Sequence, residues 1–541
     1  MTPSSEAGAR SASARDASSP PKGIPAGSCT PVCSQQTPTK VPAMASPARP
    51  AVSVMLTRGQ EVLLVRRSPR LRAFANLWAF PGGTVSAEDA KVPVSGAPDR
   101  ETAARVAAGV REVFEETGVF LGTAGRNVAT AERDDLRRRL LAGRTGFPEV
   151  LQSFKAGIDA TRFVEVEELT TPESAPYRFD TRFYRLPLPD GAEPSVWSGE
   201  IVDQAMLSPE AALARWRDGE MALAPPIIGL LERWSPDDGV FRARNRDEGR
   251  MRPAVRYSPG IAVIPCRTRT LPPATHTNAV LIGTSRRYLV DPAAETPAER
   301  EMLFGMVDRL LGPGDRLAGI LVTHHHPDHI GSVAAAASRY GVPVGAHPET
   351  FARIPPAPCG TRSLAEGDTL GLGEAPDGSP GWTLEVRFVP GHAPGHLAFV
   401  ESRYGAMVVG DVVSSLSSII VSPEDGDLGD YMESLRRLAA ECRGIVYPGH
   451  GVPVVAGADL LRAQVRHREA REASLLEALD TEPASLEAIG LRVYPTSEVP
   501  RRGPVRQLAE VALTSGLLKL EREGRASVAG GRWFRPTDSN A

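Results

Sequence analysis

The chain has 541 residues, 41% hydrophobic and 23% charged, with a formal net charge of -3. That length exceeds what one hydrophobic core serves, so two or more domains are expected, and the charge excludes a general polyanion binder. No apolar run reaches the roughly 18 residues of a membrane span, and the N-terminus lacks the apolar stretch of a secretory signal. Five scattered cysteines (Cys29, Cys33, Cys266, Cys359, Cys442) are an odd number and no disulfide framework, so a cytoplasmic protein is expected. Cys29 and Cys33 lack a second pair to complete a zinc site. All ten histidines lie at or after His276. A metal in the first half must therefore be held by oxygens.

Residues 1–48 are dominated by Ser, Pro, Ala, Gly and Thr. Such a segment cannot bury enough surface to offset its ordering entropy and is expected to be disordered. Ala51–Leu56 and Val62–Val65 flank the polar turn Arg58-Gly-Gln60 and predict a hairpin. Farther on, Arg111-Glu-Val-Phe-Glu-Glu-Thr-Gly118 places Glu112, Glu115 and Glu116 at i, i+3 and i+4, on one face of a helix that ends at Gly118. Like charges so placed repel, and a hard divalent ion is the natural compensation. The polar, aperiodic stretch 242–252 marks a domain boundary.

The second half alternates apolar strands with helical patterns, which predicts an α/β layered fold. Strands are expected over 260–266, 279–282, 288–290, 319–322, 384–389, 397–400, 406–409 and 444–447. Helices are expected over 298–311, 330–340 and 431–441. The strand ending at Val322-Thr323 runs into His324-His-His-Pro-Asp-His329. Alternate residues of an extended stretch point the same way, so His324 and His326 aim at one point while Asp328 and His329 reach an adjacent one. His392, Asp411 and His450 follow downstream, each closing an apolar strand at a Gly turn. Imidazole and carboxylate are good ligands for zinc and similar ions. Beyond residue 460 the pattern is mainly helical; an amphipathic helix over 511–522 precedes a hairpin-like turn at Gly530-Gly531.

These residues resemble the metallo-β-lactamase fold superfamily over about 258–460. Its H-x-H-x-D-H signature appears as His324, His326, Asp328 and His329, its later motifs as His392, Asp411 and His450, and its first acidic motif as Asp291. The resemblance implies two divalent ions, zinc or similar. One is held by His324, His326 and His392, the other by Asp328, His329 and His450, with Asp411 bridging. Asp328 would also orient the attacking hydroxide, and Asp291 would hold a ligand imidazole. His325, His347 and His396 are not assigned to metal. The tail resembles the winged helix of the β-lactamase-like protein 2 subgroup, which includes single-strand endoribonucleases and acyl-carrier thioesterases. Arg501, Arg502, Arg506, Arg522, Arg525, Arg532 and Arg535 make it basic, which suits phosphates or is a solvated surface.

Arg111-Glu112, Glu115-Glu116 and Gly118, preceded by Trp78-Ala-Phe-Pro-Gly-Gly83, resemble the box of Nudix hydrolases over about 50–235. Gly82 and Glu88 fit the start of the box, but the 22 residues between Glu88 and Arg111 exceed the usual spacing. Such an insertion, with Arg178–Phe183 and Leu223–Pro226, resembles the peroxisomal coenzyme A diphosphatase group. By resemblance Glu112, Glu115 and Glu116 bind Mg2+ or Mn2+, Arg111 orients a glutamate, and a nucleoside diphosphate linked to another group is hydrolysed.

The expected architecture is α/β and α+β multidomain. A Nudix α/β/α sandwich (49–240) and a linker (241–256) precede a metallo-β-lactamase αββα sandwich (257–460) and a helical extension with a small winged helix (461–541). The expected function is a bifunctional hydrolase, with a thioester or similar ester cleaved by the C-terminal half and a coenzyme A-like diphosphate by the N-terminal half. Its partners are small-molecule substrates, with RNA an alternative and no membrane. In the alternative, the C-terminal half is a single-strand endoribonuclease and the Nudix half a non-catalytic nucleotide sensor.

Overall fold

The computed structural model describes residues 47–123, 125, 128–197, 199–235, 240–241, 254–312, 315–494 and 503–536. The expected N-terminal disorder, the Cys29/Cys33 pair, most of the linker, and Arg501 and Arg502 lie outside them.

The first hairpin forms as predicted: strands Arg49–Arg58 and Glu61–Arg67 pair with Arg58 opposite Glu61. The turn needs a left-handed residue, and Gly59 supplies it with φ 59°. The first strand then lies parallel to Phe179–Pro187 and antiparallel to Gly82–Thr84 in a seven-stranded sheet. Val52, Val54 and Leu56 pack beneath the helix Arg100–Thr117, through Val106, Val110 and Val113. Met55 faces the opposite side, where Ile227, Ile228 and Leu231 of the helix Pro225–Arg233 cover it. This period of two, with a helix on each face, makes an α/β/α stack. Asp99 caps the first helix by accepting from the Thr102 N–H at 2.7 Å, and Gly118 ends it at φ 72°.

In the C-terminal half, a seven-stranded sheet (from Val255–Arg256 to Thr361–Ser363) faces a five-stranded one (from Thr369–Gly373 to Val446–Pro448). Val263, Val280, Val290 and Leu321 point into the space between the sheets, with Leu384, Val386 and Phe399 opposite. Their neighbours Ile264, Leu281, Leu289 and Ile320 point outward to the helices Pro297–Leu310 and Val333–Tyr340. The helix Leu428–Glu441 covers the second sheet. Strands buried on both faces explain the continuous apolar runs in the sequence.

The helix expected over 330–340 is broken, with Pro327–Ile330 and Val333–Tyr340 on either side. Ser332 gives its N–H to the Pro292 carbonyl at 2.8 Å and its hydroxyl to the Ala294 carbonyl. Gly331 sits so close that a Cβ would meet the Ala293 oxygen at 2.7 Å. Strands Val344–Ala346, Thr361–Ser363 and Thr369–Gly373 were not foreseen. They are short or Gly-rich and carry little periodicity.

Residues 461–541 contribute the end of the helix Gly457–Ala478, then Leu486–Val493, Pro504–Arg522 and a hairpin, Ser527–Ala529 with Arg532–Phe534. Gly530 and Gly531 turn that hairpin at φ 58° and 73°. The two large halves are not merely tethered. Trp216 donates its indole N–H to the Tyr257 carbonyl at 3.0 Å. One apolar cluster runs from Leu223 and Trp234 through Tyr257 and Ile261 to Trp382.

Candidate metal centres

Five of the seven predicted C-terminal ligands, His326, Asp328, His392, Asp411 and His450, line one cavity of about 740 Å³. The other two, His324 and His329, are buried behind its walls. Hydrogen bonding fixes which nitrogen of each imidazole is bare, because a proton given to a partner leaves the other nitrogen without one.

Asp291 is the starting point. It is buried and holds a left-handed backbone at φ 46°, a conformation that an Asp tolerates better than most residues. Its carboxylate accepts from the Thr323 N–H at 2.8 Å and the Thr323 hydroxyl at 2.7 Å. The same carboxylate lies 2.8 Å from His329 Nδ1, so that nitrogen donates. With the Thr323 proton spent on Asp291, His324 Nδ1 must donate to Thr323 Oγ1, at 2.9 Å. His392 Nδ1 donates to the Ile420 carbonyl at 2.9 Å, and His450 Nδ1 to the His276 carbonyl at 3.0 Å. His326 is reversed: its Nε2 lies 2.8 Å from Asp425 Oδ2, which bares Nδ1.

The bare nitrogens converge. His326 Nδ1 faces His392 Nε2 at 3.0 Å, two lone pairs that repel unless a cation lies beside them. His324 Nε2, His329 Nε2 and Asp411 Oδ1 are buried without a hydrogen-bond partner, an arrangement that costs several kcal/mol if left unsatisfied (roughly 1–3 each). Asp411 stands 3.4 Å from both His329 Nε2 and His450 Nε2 and 3.7 Å from His392 Nε2. Donor atoms of His324, His326 and His392 lie within 4.8 Å of one another, as do those of Asp328, His329 and His450. The donor set fits two divalent ions.

Electrostatics agree for His324, His392 and Asp411; at His329 and His450 burial is outweighed by the Asp411 carboxylate, which raises both imidazoles, so an ion competes with a proton there. Burial pushes His324 well below the ordinary histidine value, helped by neighbouring imidazoles, and takes His392 down to about 4. Burial would raise Asp411, but His450 and His329 beside it hold its carboxyl well below the carboxylate range. Neutral imidazole and ionised carboxylate are the forms that bind metal.

Sequence reasoning missed two residues here, Asp425 and Asn278. Asp425, 99 positions from His326, also lies 3.2 Å from His325 Nε2. Asn278 gives its amide to the Pro448 and Gly451 carbonyls at 2.9 and 2.8 Å, holding the loop that carries His450. A mid-strand Asn in an apolar run was the available signal. His396 is buried and accepts from the Asp411 N–H at 3.2 Å, which places that carboxylate. His347 instead stacks on Phe388, ring centres 4.6 Å apart.

In the first half, Glu112, Glu115 and Glu116 line a second cavity together. Arg111 reaches Glu112 at 2.9 Å and Glu115 at 3.3 Å. Its main partner is the buried Asp89, gripped through Nε at 2.8 Å and Nη2 at 2.9 Å. Glu88 faces solvent and pairs with Lys91, so the acid that anchors Arg111 is its neighbour. Gly82 donates its N–H to Glu116 at 2.9 Å, and a Cβ on Gly83 would strike Glu112 at 2.3 Å. The two glycines are needed for that approach. Burial raises Glu112, takes Glu115 up to about 7 and takes Glu116 up to about 8, with Glu112 adding repulsion to both. Glu200 lines the same cavity and was not foreseen. Arg111 is shared with Asp89 and bonds Glu112 and Glu115, and Arg67 offsets the burial of Glu116 only in part, so a divalent ion with oxygen ligands fits the deficit of positive charge that remains.

Residues 272–450 match the family model for the metallo-beta-lactamase superfamily, and residues 47–185 match that for the NUDIX domain. Among curated proteins, the chain is 30% identical over 207 residues to lactamase-like protein nscB of Arthroderma gypseum, 38% of this chain and 60% of that protein. It is 28% identical over 219 residues to lactamase-like protein adaB of Aspergillus niger, 40% and 62% of the respective chains. The chain thus spans about 60% of the length of these relatives. Among solved structures it is similar to a metallo-beta-lactamase family protein from Thermus thermophilus, with TM-score 0.42, 26% identity, and coverage of 51% of this chain and 99% of that one. It is also similar to a NUDIX hydrolase from Alicyclobacillus acidocaldarius, with TM-score 0.31, 27% identity, and coverage of 34% and 90%. The chain therefore carries a NUDIX domain over residues 47–185 and a metallo-beta-lactamase superfamily domain over residues 272–450.

Proposed function

We propose that both domains are catalytic, the C-terminal one a binuclear zinc hydrolase of thioesters or similar esters and the N-terminal one a Mg2+- or Mn2+-dependent hydrolase of a nucleoside diphosphate derivative such as coenzyme A. The carrying observation is the convergence of proton-free nitrogens and the Asp411 carboxylate on one cavity. In this reading His324, His326 and His392 hold one ion, Asp328, His329 and His450 the other, and Asp411 lies between. Such ions, when bound, supply a nucleophile near neutral pH and polarise the substrate oxygen. Asp328 lines the cavity 3.5 Å from His450 Nε2, placed to orient the attacking water and accept its proton. In the first half, Glu112, Glu115 and Glu116 hold the ion, with Arg111 steering the first two.

The chemistry of the C-terminal cavity favours an ester over RNA. Leu271, Pro272, Ile419, Ile420 and Leu508 give it apolar walls, with Arg269 as its cation among the described residues. The tail that we read as a winged helix reaches the cavity through Leu508, and Ser515 binds the Val421 carbonyl at 2.5 Å. Most of the arginines that the sequence singled out there are engaged locally, although Nη1 and Nη2 of Arg506 are buried without a hydrogen-bond partner. Arg506 is buried and bonded to Glu510, Arg522 pairs with Asp427, Arg525 with Glu472 and Glu523, and Arg532 and Arg535 bond carbonyls. The free cysteines Cys266, Cys359 and Cys442 fit a cytoplasmic setting. We read the domains as 49–240, 257–460 and 461–541.

The test is turnover of acyl thioesters, coenzyme A and short RNA by the full chain with defined metals. Thioester cleavage lost in Asp328→Ala, beside diphosphate cleavage that persists, is expected. RNA cleavage without thioester cleavage would reverse the substrate assignment, and absent diphosphate cleavage would leave the N-terminal half a sensor.

A further inference from the structure

A third cavity, of about 510 Å³, lies where the two halves meet. On the N-terminal side Phe74, Tyr177, Phe179 and Pro226 line it, and all four also line the carboxylate cavity. On the C-terminal side Val255, Tyr257, Val263 and Val452 close it. The two spaces therefore share one wall. The sheet register shows how short the path is. Phe183 lies opposite Ser53, which lies opposite Gly82, whose N–H holds Glu116. Two strand spacings, about 10 Å, separate Phe183 from Gly82.

The walls select for apolar matter. Phe74 is held with a left-handed backbone at φ 53°, and its ring meets that of Phe179 at 6.3 Å. Apart from Arg72, the charged groups lining it are already paired: Arg233 with Glu167 at 2.5 Å, and Arg256 with Glu232 at 2.6 Å. Arg72, at the junction, lines both cavities, where a phosphate would pass.

We propose that this cavity holds the apolar arm of an organic diphosphate whose phosphates sit at the glutamate cluster, so that one ligand touches both domains. The proposal rests on the diphosphate-cleaving reading above. Mostly apolar walls with a few polar groups are what such subsites need.

Gly229 provides the test. It lines the cavity from the helix Pro225–Arg233, and a Cβ there meets nothing within 4 Å. Gly229→Phe fills the space without touching the carboxylates. The β-methyl and β-octyl esters of ADP would be compared with Mg2+ on the full chain, by kcat/KM and by binding to the Glu116→Gln form. The octyl ester is expected to be preferred at least tenfold by both measures. Gly229→Phe should abolish that preference while leaving methyl ester cleavage within twofold. Cleavage with no preference for octyl, or a preference that survives Gly229→Phe, overturns the cavity assignment and leaves the diphosphatase reading standing. Gly229-sensitive octyl binding without cleavage of either ester supports the cavity and defeats the diphosphatase reading. Binding of neither ester defeats both.

Discussion

Replacing Asp291 by Asn alters one buried group that no substrate touches. Its carboxylate accepts three hydrogen bonds, from the Thr323 N–H and hydroxyl and from His329 Nδ1. Asn keeps the shape and tolerates φ 46°, but its amide nitrogen is a donor. Placed against His329, that donor forces the ring proton onto Nε2, the nitrogen that points at Asp411. Partners of this kind are worth about 10–100-fold in metal affinity, or roughly 1.4–2.8 kcal/mol. Asp291→Ala adds the loss of acceptors for the Thr323 N–H and hydroxyl, at roughly 1–3 kcal/mol each. It also adds left-handed strain of roughly 1–2 kcal/mol. Competition with a chromophoric chelator should show zinc held 10–100-fold more weakly at one of two sites in Asp291→Asn, with near-native stability in urea. Asp291→Ala should be destabilised by several kcal/mol even without metal. Native zinc affinity in Asp291→Asn would refute the assignment of the His329 tautomer.

Glu116→Gln should cut Mg2+-dependent diphosphate cleavage by orders of magnitude and leave C-terminal turnover intact; a parallel fall in a folded protein would contradict independent sites. The acids raised in the folded state, Glu115 to about 7 and Glu116 to about 8, bind more protons there than when unfolded. Without metal, the stability they contribute is therefore full below about pH 4.5 and lost as pH rises through 7 to 8. Mg2+ must displace those protons, so its affinity should rise by up to about tenfold per pH unit per proton between pH 6 and 8, read by calorimetry; a flat profile would argue against these ligands. Leu508→Ala should raise KM for the C-terminal substrate while metal content stays unchanged, because Leu508 lines the cavity but donates to no ion. Unchanged KM would remove the tail from the site.

The residues read as ligands, His324, His326, Asp328, His329, His392, Asp411 and His450, stood out because each lies where an apolar strand gives way to a turn, and a strand end fixes where its next residues point. The groups that orient them were not. Asp425 sits in a polar loop that reads like any other, and only the fold brings it to His326. Asp89 lies in the insertion beside Glu88; a 3-10 turn over Asp89–Lys91 buries the former and exposes the latter, which no periodicity of the sequence signals. The broken helix after Asp328 reflects carbonyls of Ala293 and Ala294 arriving from another strand end. Tail arginines looked like a phosphate surface because their acidic partners, Asp427 and Glu472, precede them by many residues.

Anomalous diffraction from crystals of the full chain, measured across the zinc edge, tests the central claim most directly. Two peaks are predicted, one bounded by His324 Nε2, His326 Nδ1 and His392 Nε2, the other by Asp328, His329 Nε2 and His450 Nε2, with Asp411 between them. A single peak, or an ion on His326 Nε2 beside Asp425, would contradict it.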